Sequence, residues 1–122
     1  MDNKIKLLYV DDEYINLQLF EVLFSEQYEV FIASNAMQGF TILDKQPDIL
    51  IIISDMKMPG MNGIEFITKA KEKYPIKKYY ILTGFDITTE IKASLENGLI
   101  QNYFKKPFNL EEIKSGIELV VK

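Results

Sequence analysis

The apolar residues of this chain fall in short dense runs, and the residues between the runs follow helical spacing. Ile5 to Val10 is an apolar run that stops at Asp11-Asp12-Glu13, which predicts a first strand. Tyr14 to Phe24 then carries Ile15, Leu17, Leu19, Phe20, Val22, Leu23 and Phe24, a helical pattern with a wide apolar face. Tyr28 to Ala33 reads as a second strand. Asn35 is placed to cap a helix from Ala36 to about Lys45, with Gln38 at the capping-box position, and Pro47-Asp48 breaks it. The run Ile49-Leu-Ile-Ile-Ile-Ser-Asp55 lacks alternation, so it predicts a strand buried on both faces. Met58-Pro59-Gly60 forces the turn after it.

A helix follows from Gly63 to about Tyr74, with Ile64, Phe66, Ile67 and Ala70 facing inward, and Pro75 ends it. Tyr79 to Leu82 is a fourth strand that ends in Thr83-Gly84. Asp86 is placed to cap a helix running to Asn97-Gly98, a favourable helix stop. Ile100 to Phe104 is a fifth strand, closed by Lys105-Lys106-Pro107. Asn109 with Glu112 makes a cap and capping-box pair for a last helix through Val120. Strands thus alternate with helices over short connections, with no linker or repeat, so residues 1–122 read as one α/β domain. The alternation implies a doubly wound parallel sheet of five strands with helices on both faces. By analogy with flavodoxin-like folds of this size, the strand order is expected to be 2-1-3-4-5.

Composition removes several chemistries. The chain has no cysteine and no histidine, which excludes disulfides, thiol nucleophiles, thiolate metal sites, His-based general bases and Ser/His/Asp triads. Its net charge is −4 with acids and bases interspersed, so no basic patch offers itself to nucleic acid. No apolar run is long enough to span a bilayer, and Met1-Asp-Asn-Lys-Ile lacks the form of a signal peptide. A cytoplasmic location is expected.

The remaining polar residues gain meaning from where the strands end. Asp11 and Asp12 close the first strand, Asp55 the third and Thr83 the fourth, and Lys106 follows the fifth. In a parallel sheet these ends share the carboxyl edge, where ligands bind in open α/β sheets. Two like charges about 4 Å apart repel by roughly 4 kcal/mol at an effective dielectric near 20. Lys106 supplies one compensating charge. A divalent cation is the natural second, and Mg²⁺ suits one or two carboxylates, waters and a phosphate oxygen. Asp55 can then act as a carboxylate nucleophile toward a phosphoryl group. The cation neutralises developing charge, Lys106 pairs with a phosphoryl oxygen and the Thr83 hydroxyl donates to another. Gly84 beside Thr83 leaves room for close approach.

Taken singly, each residue has an ordinary structural reading. Asp11-Asp12 can cap a helix, Asp55 can be a turn residue and Thr83 a strand-end hydroxyl. Lys106 can be a solvated charge, Tyr103 packing, and Met56, Met58 and Met61 gap-fillers. These readings fail only together, because all the residues fall on one edge in order.

That ordered set resembles the receiver domain of two-component response regulators. It comprises Asp11-Asp12, Asp55-x-x-Met58-Pro59-x-x-x-Gly63, Ile81-Leu82-Thr83-Gly84 and Tyr103-x-x-Lys106-Pro107-Phe108. The resemblance covers essentially the whole chain. It implies Asp55 as phosphoacceptor, Asp12 as direct Mg²⁺ ligand, Asp11 as a ligand through water and the Lys57 backbone carbonyl as a third protein ligand. It also implies Thr83 and Tyr103 as a switch pair and a cis peptide at Lys106-Pro107. A sensor histidine kinase or phosphotransfer protein would supply the phosphoryl group. A surface formed by the fourth helix, fifth strand and fifth helix would control a downstream effector or a covalently linked output domain. Ile91, Leu95, Tyr103 and Phe108 are candidates for that surface, and a homodimer through the same face is compatible with the family.

Two features depart from the common pattern. Gly98-Leu-Ile-Gln-Asn-Tyr103 is one residue longer before the lysine than the usual form. Lys57 and Phe85 lie two residues past Asp55 and Thr83, where family members vary and dephosphorylation is tuned; a bulky Phe85 is expected to shield the phosphoryl group. Two other classes stay open. One is a hydrolase with a covalent aspartyl intermediate, for which Asp-x-Asp after the first strand is missing. The other is a receiver-like interaction module that is not phosphorylated.

Overall fold

The computed structural model describes residues 4–84 and 87–121. Its strands are β1 (Ile5–Val10), β2 (Tyr28–Ala33), β3 (Ile51–Asp55), β4 (Lys78–Thr83) and β5 (Asn102–Lys105). The helices are α1 (Tyr14–Phe24), α2 (Ala36–Lys45), α3 (Gly63–Lys73), α4 (Thr89–Glu96) and α5 (Leu110–Val121). All strand pairs are parallel and the order is β2-β1-β3-β4-β5, as the alternation and the analogy lead one to expect. β3 is central and every one of its residues is buried. It starts at Ile51, later than Ile49, and β5 starts at Asn102, later than Ile100.

The two faces of the sheet bury separate clusters. Leu8, Val10, Ile52 and Ile81 point toward α2, α3 and α4, where they meet Leu43, Phe66 and Ile91. Leu7, Tyr9, Ile53 and Leu82 point the other way, toward Phe20 and Phe24 of α1 and Ile113 and Ile117 of α5. Alternate residues of each strand thus serve opposite layers, which is why the strands are apolar without interruption.

The helix ends show where local chemistry acts. Asn35 Oδ1 accepts from Gln38 N at 2.8 Å, as its position predicts. Gln38 Oε1, however, accepts from Ser34 N, so the side chain reaches one residue further back than a capping box requires. Asn109 Oδ1 accepts from Glu112 N at 3.0 Å. The reciprocal box is at α3, where Asn62 and Glu65 each accept from the other's backbone N–H at 2.9 Å. The cap of α4 is Thr88, which accepts from Ile91 N at 3.1 Å. Asp86 and Phe85 lie outside the described residues. The turns at Gly60 and Gly98 both use φ of 83°, a left-handed conformation that glycine adopts without strain.

Three expectations change. The apolar face of α1 is only partly covered: Leu17, Phe20 and Phe24 are buried, while Tyr14, Ile15 and Val22 are 71%, 77% and 76% exposed. Ile91 is not a surface residue but is fully buried against the α3 side of the core. Phe108 packs on the α1 layer, 5.5 Å from Phe20 and 6.4 Å from Phe24 between ring centroids.

One contact ties the fold to the end of β3. Gly63 N donates to Met56 O at 2.9 Å, folding the start of α3 back over the strand end. A Cβ on Gly63 would lie 2.4 Å from the Asp55 carbonyl oxygen and 2.9 Å from Ile81. Gly63→Ala is therefore expected to cost about 1–3 kcal/mol of stability, read from urea unfolding, because backbone has to move to admit the methyl group. An unchanged unfolding midpoint would show that the β3–α3 turn is not held this tightly.

Candidate functional site

The register brings the acids together. Val10 pairs with Ser54 across β1 and β3, so the next residues, Asp11 and Asp55, leave neighbouring strands side by side. Asp11, Asp12 and Asp55 each present a carboxylate oxygen, and these oxygens lie within 4.8 Å of one another. Asp11 is buried, Asp55 is 6% exposed and Asp12 faces solvent. Beside them opens a cleft of about 600 Å³, lined by Asp12, Met56, Lys57, Met58, Thr83 and Ile91 among others. The cleft places the Lys57 segment next to the acids. Met56 and Met58 line it, and both also pack in the α2–α4 core.

Lys106 reaches this cluster from the loop after β5. Its Nζ lies 3.1 Å from Asp11 Oδ2, 3.2 Å from Asp55 Oδ1 and 4.0 Å from Glu13 Oε1. Its backbone N–H donates to Thr83 O at 2.8 Å, which pins the loop against the end of β4. The Lys106-Pro107 peptide is cis, as the resemblance implies. Thr83 is buried at the end of β4. β4 and β5 pair Ile81 with Tyr103 and Thr83 with Lys105, so Thr83 and Tyr103 project from the same face, one step apart. The Tyr103 ring is half-buried against the cluster beneath α4. A Cβ on Gly84 would meet nothing closer than Lys106 Cδ at 3.8 Å, so space alone does not require glycine there.

The electrostatics follow from burial and crowding. Burial, and then the charge of Asp11, raise the Asp55 pKa from its ordinary value to about 6, while Lys106 opposes the shift. Burial alone lowers the Lys106 pKa, but the Asp55 and Asp11 carboxylates outweigh it and hold the ammonium charged. The cluster therefore keeps more negative charge than one lysine compensates. Hard oxygen donors at this spacing, at the mouth of an open cleft, fit Mg²⁺.

Sequence reasoning missed the donors around Asp11. Oδ2 accepts from the Tyr9 hydroxyl at 2.5 Å and from Asn16 Nδ2 at 3.3 Å, and Oδ1 accepts from Glu13 N at 2.9 Å. Asp11 consequently does not cap α1 as a simple N-cap; the cap residue is Glu13, whose side chain makes no capping bond. Burial, followed by the Asp11 charge and its hydrogen bond, raises the Tyr9 pKa and keeps the hydroxyl a donor.

The class is thus an α/β domain with a doubly wound parallel sheet and a cluster of three acids, a threonine and a lysine at the carboxyl edge. Residues 7–118 match the family described as response regulator receiver domain. The chain is 36% identical over 115 residues to sporulation initiation phosphotransferase F of Bacillus subtilis (strain 168), covering 93% of this chain and 90% of that protein. It is 32% identical over 121 residues to the uncharacterized transcriptional regulatory protein YesN of the same organism, covering 95% of this chain but 32% of that longer protein. Among solved structures, a response regulator receiver domain protein from Clostridium thermocellum superposes with a TM-score of 0.87 at 28% identity, covering 94% of this chain and 92% of that one. The chain belongs to the response regulator receiver domain family. No helix among the described residues is long and apolar enough to cross a membrane.

The raised pKa has a sign. Between the ordinary carboxylate pKa near 4 and about 6, folded Asp55 binds more protons than unfolded Asp55, so this group's contribution to stability falls as pH rises through that window. In metal-free protein, carbon-detected NMR titration should place the Asp55 carboxyl near 6, and Lys106→Ala should move it higher. A midpoint near 4, or no response to Lys106→Ala, would contradict the geometry.

Proposed function

We propose that residues 1–122 form one phosphorylation-dependent switch in which Asp55 accepts a phosphoryl group from a sensor histidine kinase or a phosphotransfer protein. One observation carries this reading: Asp55 ends the central strand, nearly buried, with the Lys106 ammonium 3.2 Å away and the Asp11 and Asp12 oxygens within 4.8 Å. Three carboxylate oxygens at this spacing form a donor set that a divalent cation could take.

The chain's own groups divide the work. An Asp55 carboxylate oxygen attacks phosphorus, the bond from phosphorus to the donor's imidazole nitrogen breaks, and the electron pair leaves with that nitrogen. No general base is needed, since the carboxylate is already ionised at neutral pH with a pKa near 6. Lys106 turns from the carboxylates to a phosphoryl oxygen, and the Thr83 hydroxyl donates to another. Asp12 directly, Asp11 through water, and the Asp55 carboxylate with the Lys57 backbone carbonyl would hold Mg²⁺, which when bound neutralises charge on the phosphoryl oxygens. The chain catalyses only its own phosphorylation and dephosphorylation.

The response runs through Thr83 and Tyr103. As Thr83 shifts toward the new oxygens, the half-buried Tyr103 ring on the same face moves into the space. That change biases the surface of α4, β5 and α5, to which exposed Leu95 and half-buried Tyr103 contribute. A downstream effector, or an output domain on the same chain, reads that surface in the cytoplasm. Differential binding of a few kcal/mol is enough to invert the population of two such states.

Intact mass spectrometry after incubation with acetyl phosphate tests the reading. A single phosphoryl adduct is expected with Mg²⁺, none in its absence and none in Asp55→Asn. An adduct that persists in Asp55→Asn would place the chemistry on another carboxylate. No adduct, together with no NMR response to beryllofluoride, would favour an interaction module that is not phosphorylated.

A further inference from the structure

Tyr9 precedes Asp11 by two residues along β1, so the two side chains project from the same face of the sheet. The Tyr9 ring is fully buried, stacked on Phe20 at 4.2 Å between centroids and edge-on to Phe108 at 6.3 Å. Phenylalanine would fill this apolar position equally well. The hydroxyl is what tyrosine adds, and a buried hydroxyl needs a partner. Its partner is Asp11 Oδ2, at 2.5 Å.

Asp11 has other donors, but none is anchored in the same way. Lys106 and Asn16 approach on flexible stems at 3.1 and 3.3 Å, and the Glu13 N–H belongs to the loop before α1. Tyr9 alone is delivered by a rigid ring held between a strand and two phenylalanines. Two neighbours of that ring adjoin the acid cluster: Asp11 directly follows β1, and Phe108 lies two residues past Lys106.

We propose that Tyr9 is a positioning residue of the cation site: its hydroxyl fixes the buried Asp11 carboxylate in the orientation in which Asp11, Asp12 and Asp55 converge on one divalent cation. This inference deepens the proposed function and rests on its cation site. Outer hydrogen-bond partners of metal-holding side chains typically change affinity by about 10–100-fold when removed. Tyr9 also shares Oδ2 with Lys106, whose Nζ lies 3.2 Å from Asp55 Oδ1 as well.

The test measures Mn²⁺ binding to the whole chain by the loss of the free-ion paramagnetic resonance signal. Wild type, Tyr9→Phe and Tyr80→Phe are compared. Tyr80 is the control, since it too is fully buried but its hydroxyl donates to Gly116 O at 3.3 Å, in α5. Tyr9→Phe should weaken Mn²⁺ binding about tenfold, and Tyr80→Phe should leave it unchanged. In the wild type, the Tyr9 hydroxyl proton resonance should also shift as Mg²⁺ is added. Equal affinity in wild type and Tyr9→Phe, equal weakening in both variants, or a hydroxyl proton indifferent to Mg²⁺ would each overturn this inference alone. A wild type that binds no Mn²⁺ would overturn the proposed cation site as well.

Discussion

The structure depends on one electrostatic conflict. Three carboxylates gather at the carboxyl edge of the sheet, and Lys106, at 3.1 and 3.2 Å from two of them, is the ammonium that bridges the cluster. Folding has to overcome this repulsion with packing elsewhere, and the burial of Asp55 adds a desolvation penalty to it. The apolar strands, covered on both faces, supply the compensation. They also hold the acids in place, because Asp11 and Asp55 continue paired strands whose register cannot slip without inverting the core. The conflict is therefore stored in a rigid frame.

The loops serve the same end. Gly63 lets α3 begin against the Asp55 carbonyl, and the Asn62–Glu65 box fixes the angle at which it does so. The Lys106 backbone is tied to Thr83, so the ammonium and the hydroxyl belong to one connected unit. Tyr103 shares a face with Thr83, one step apart on the paired strands β4 and β5. Asp11, Asp12 and Asp55 all fall within the span that matches the receiver family, and their convergence is a matter of geometry.

Much of this was legible in the chain because strand ends are marked by abrupt changes in polarity. Asp11, Asp55 and Thr83 each terminate an apolar run, Lys106 follows the fifth strand, and parallel topology sends all of them to one edge. What stayed hidden depends on three-dimensional neighbours. Tyr9 reads as an ordinary strand aromatic until the bond to Asp11 is visible; its signal was a polar tip two residues before an acid, on the same face. Ile91 falls early in a helix that begins at Thr89, and so turns inward beneath the Thr88 cap. Phe108 has no periodicity to follow, since it sits in a loop, and only packing takes it to Phe20. On α1 the pattern overstates burial because apolar spacing reports a wide face, whereas the sheet covers only the strip of Leu17, Phe20 and Phe24.

Urea unfolding of wild type and Asp55→Asn, with and without Mg²⁺ at constant ionic strength and neutral pH, tests the stored conflict most directly. Removing one crowded carboxylate should raise the metal-free midpoint above that of the wild type. Mg²⁺ should stabilise the wild type, because it binds the folded state alone, and should stabilise Asp55→Asn much less. A metal-free Asp55→Asn protein less stable than wild type, with Mg²⁺ without effect on either, would show that the acids are not in conflict and that the site is not built for a cation.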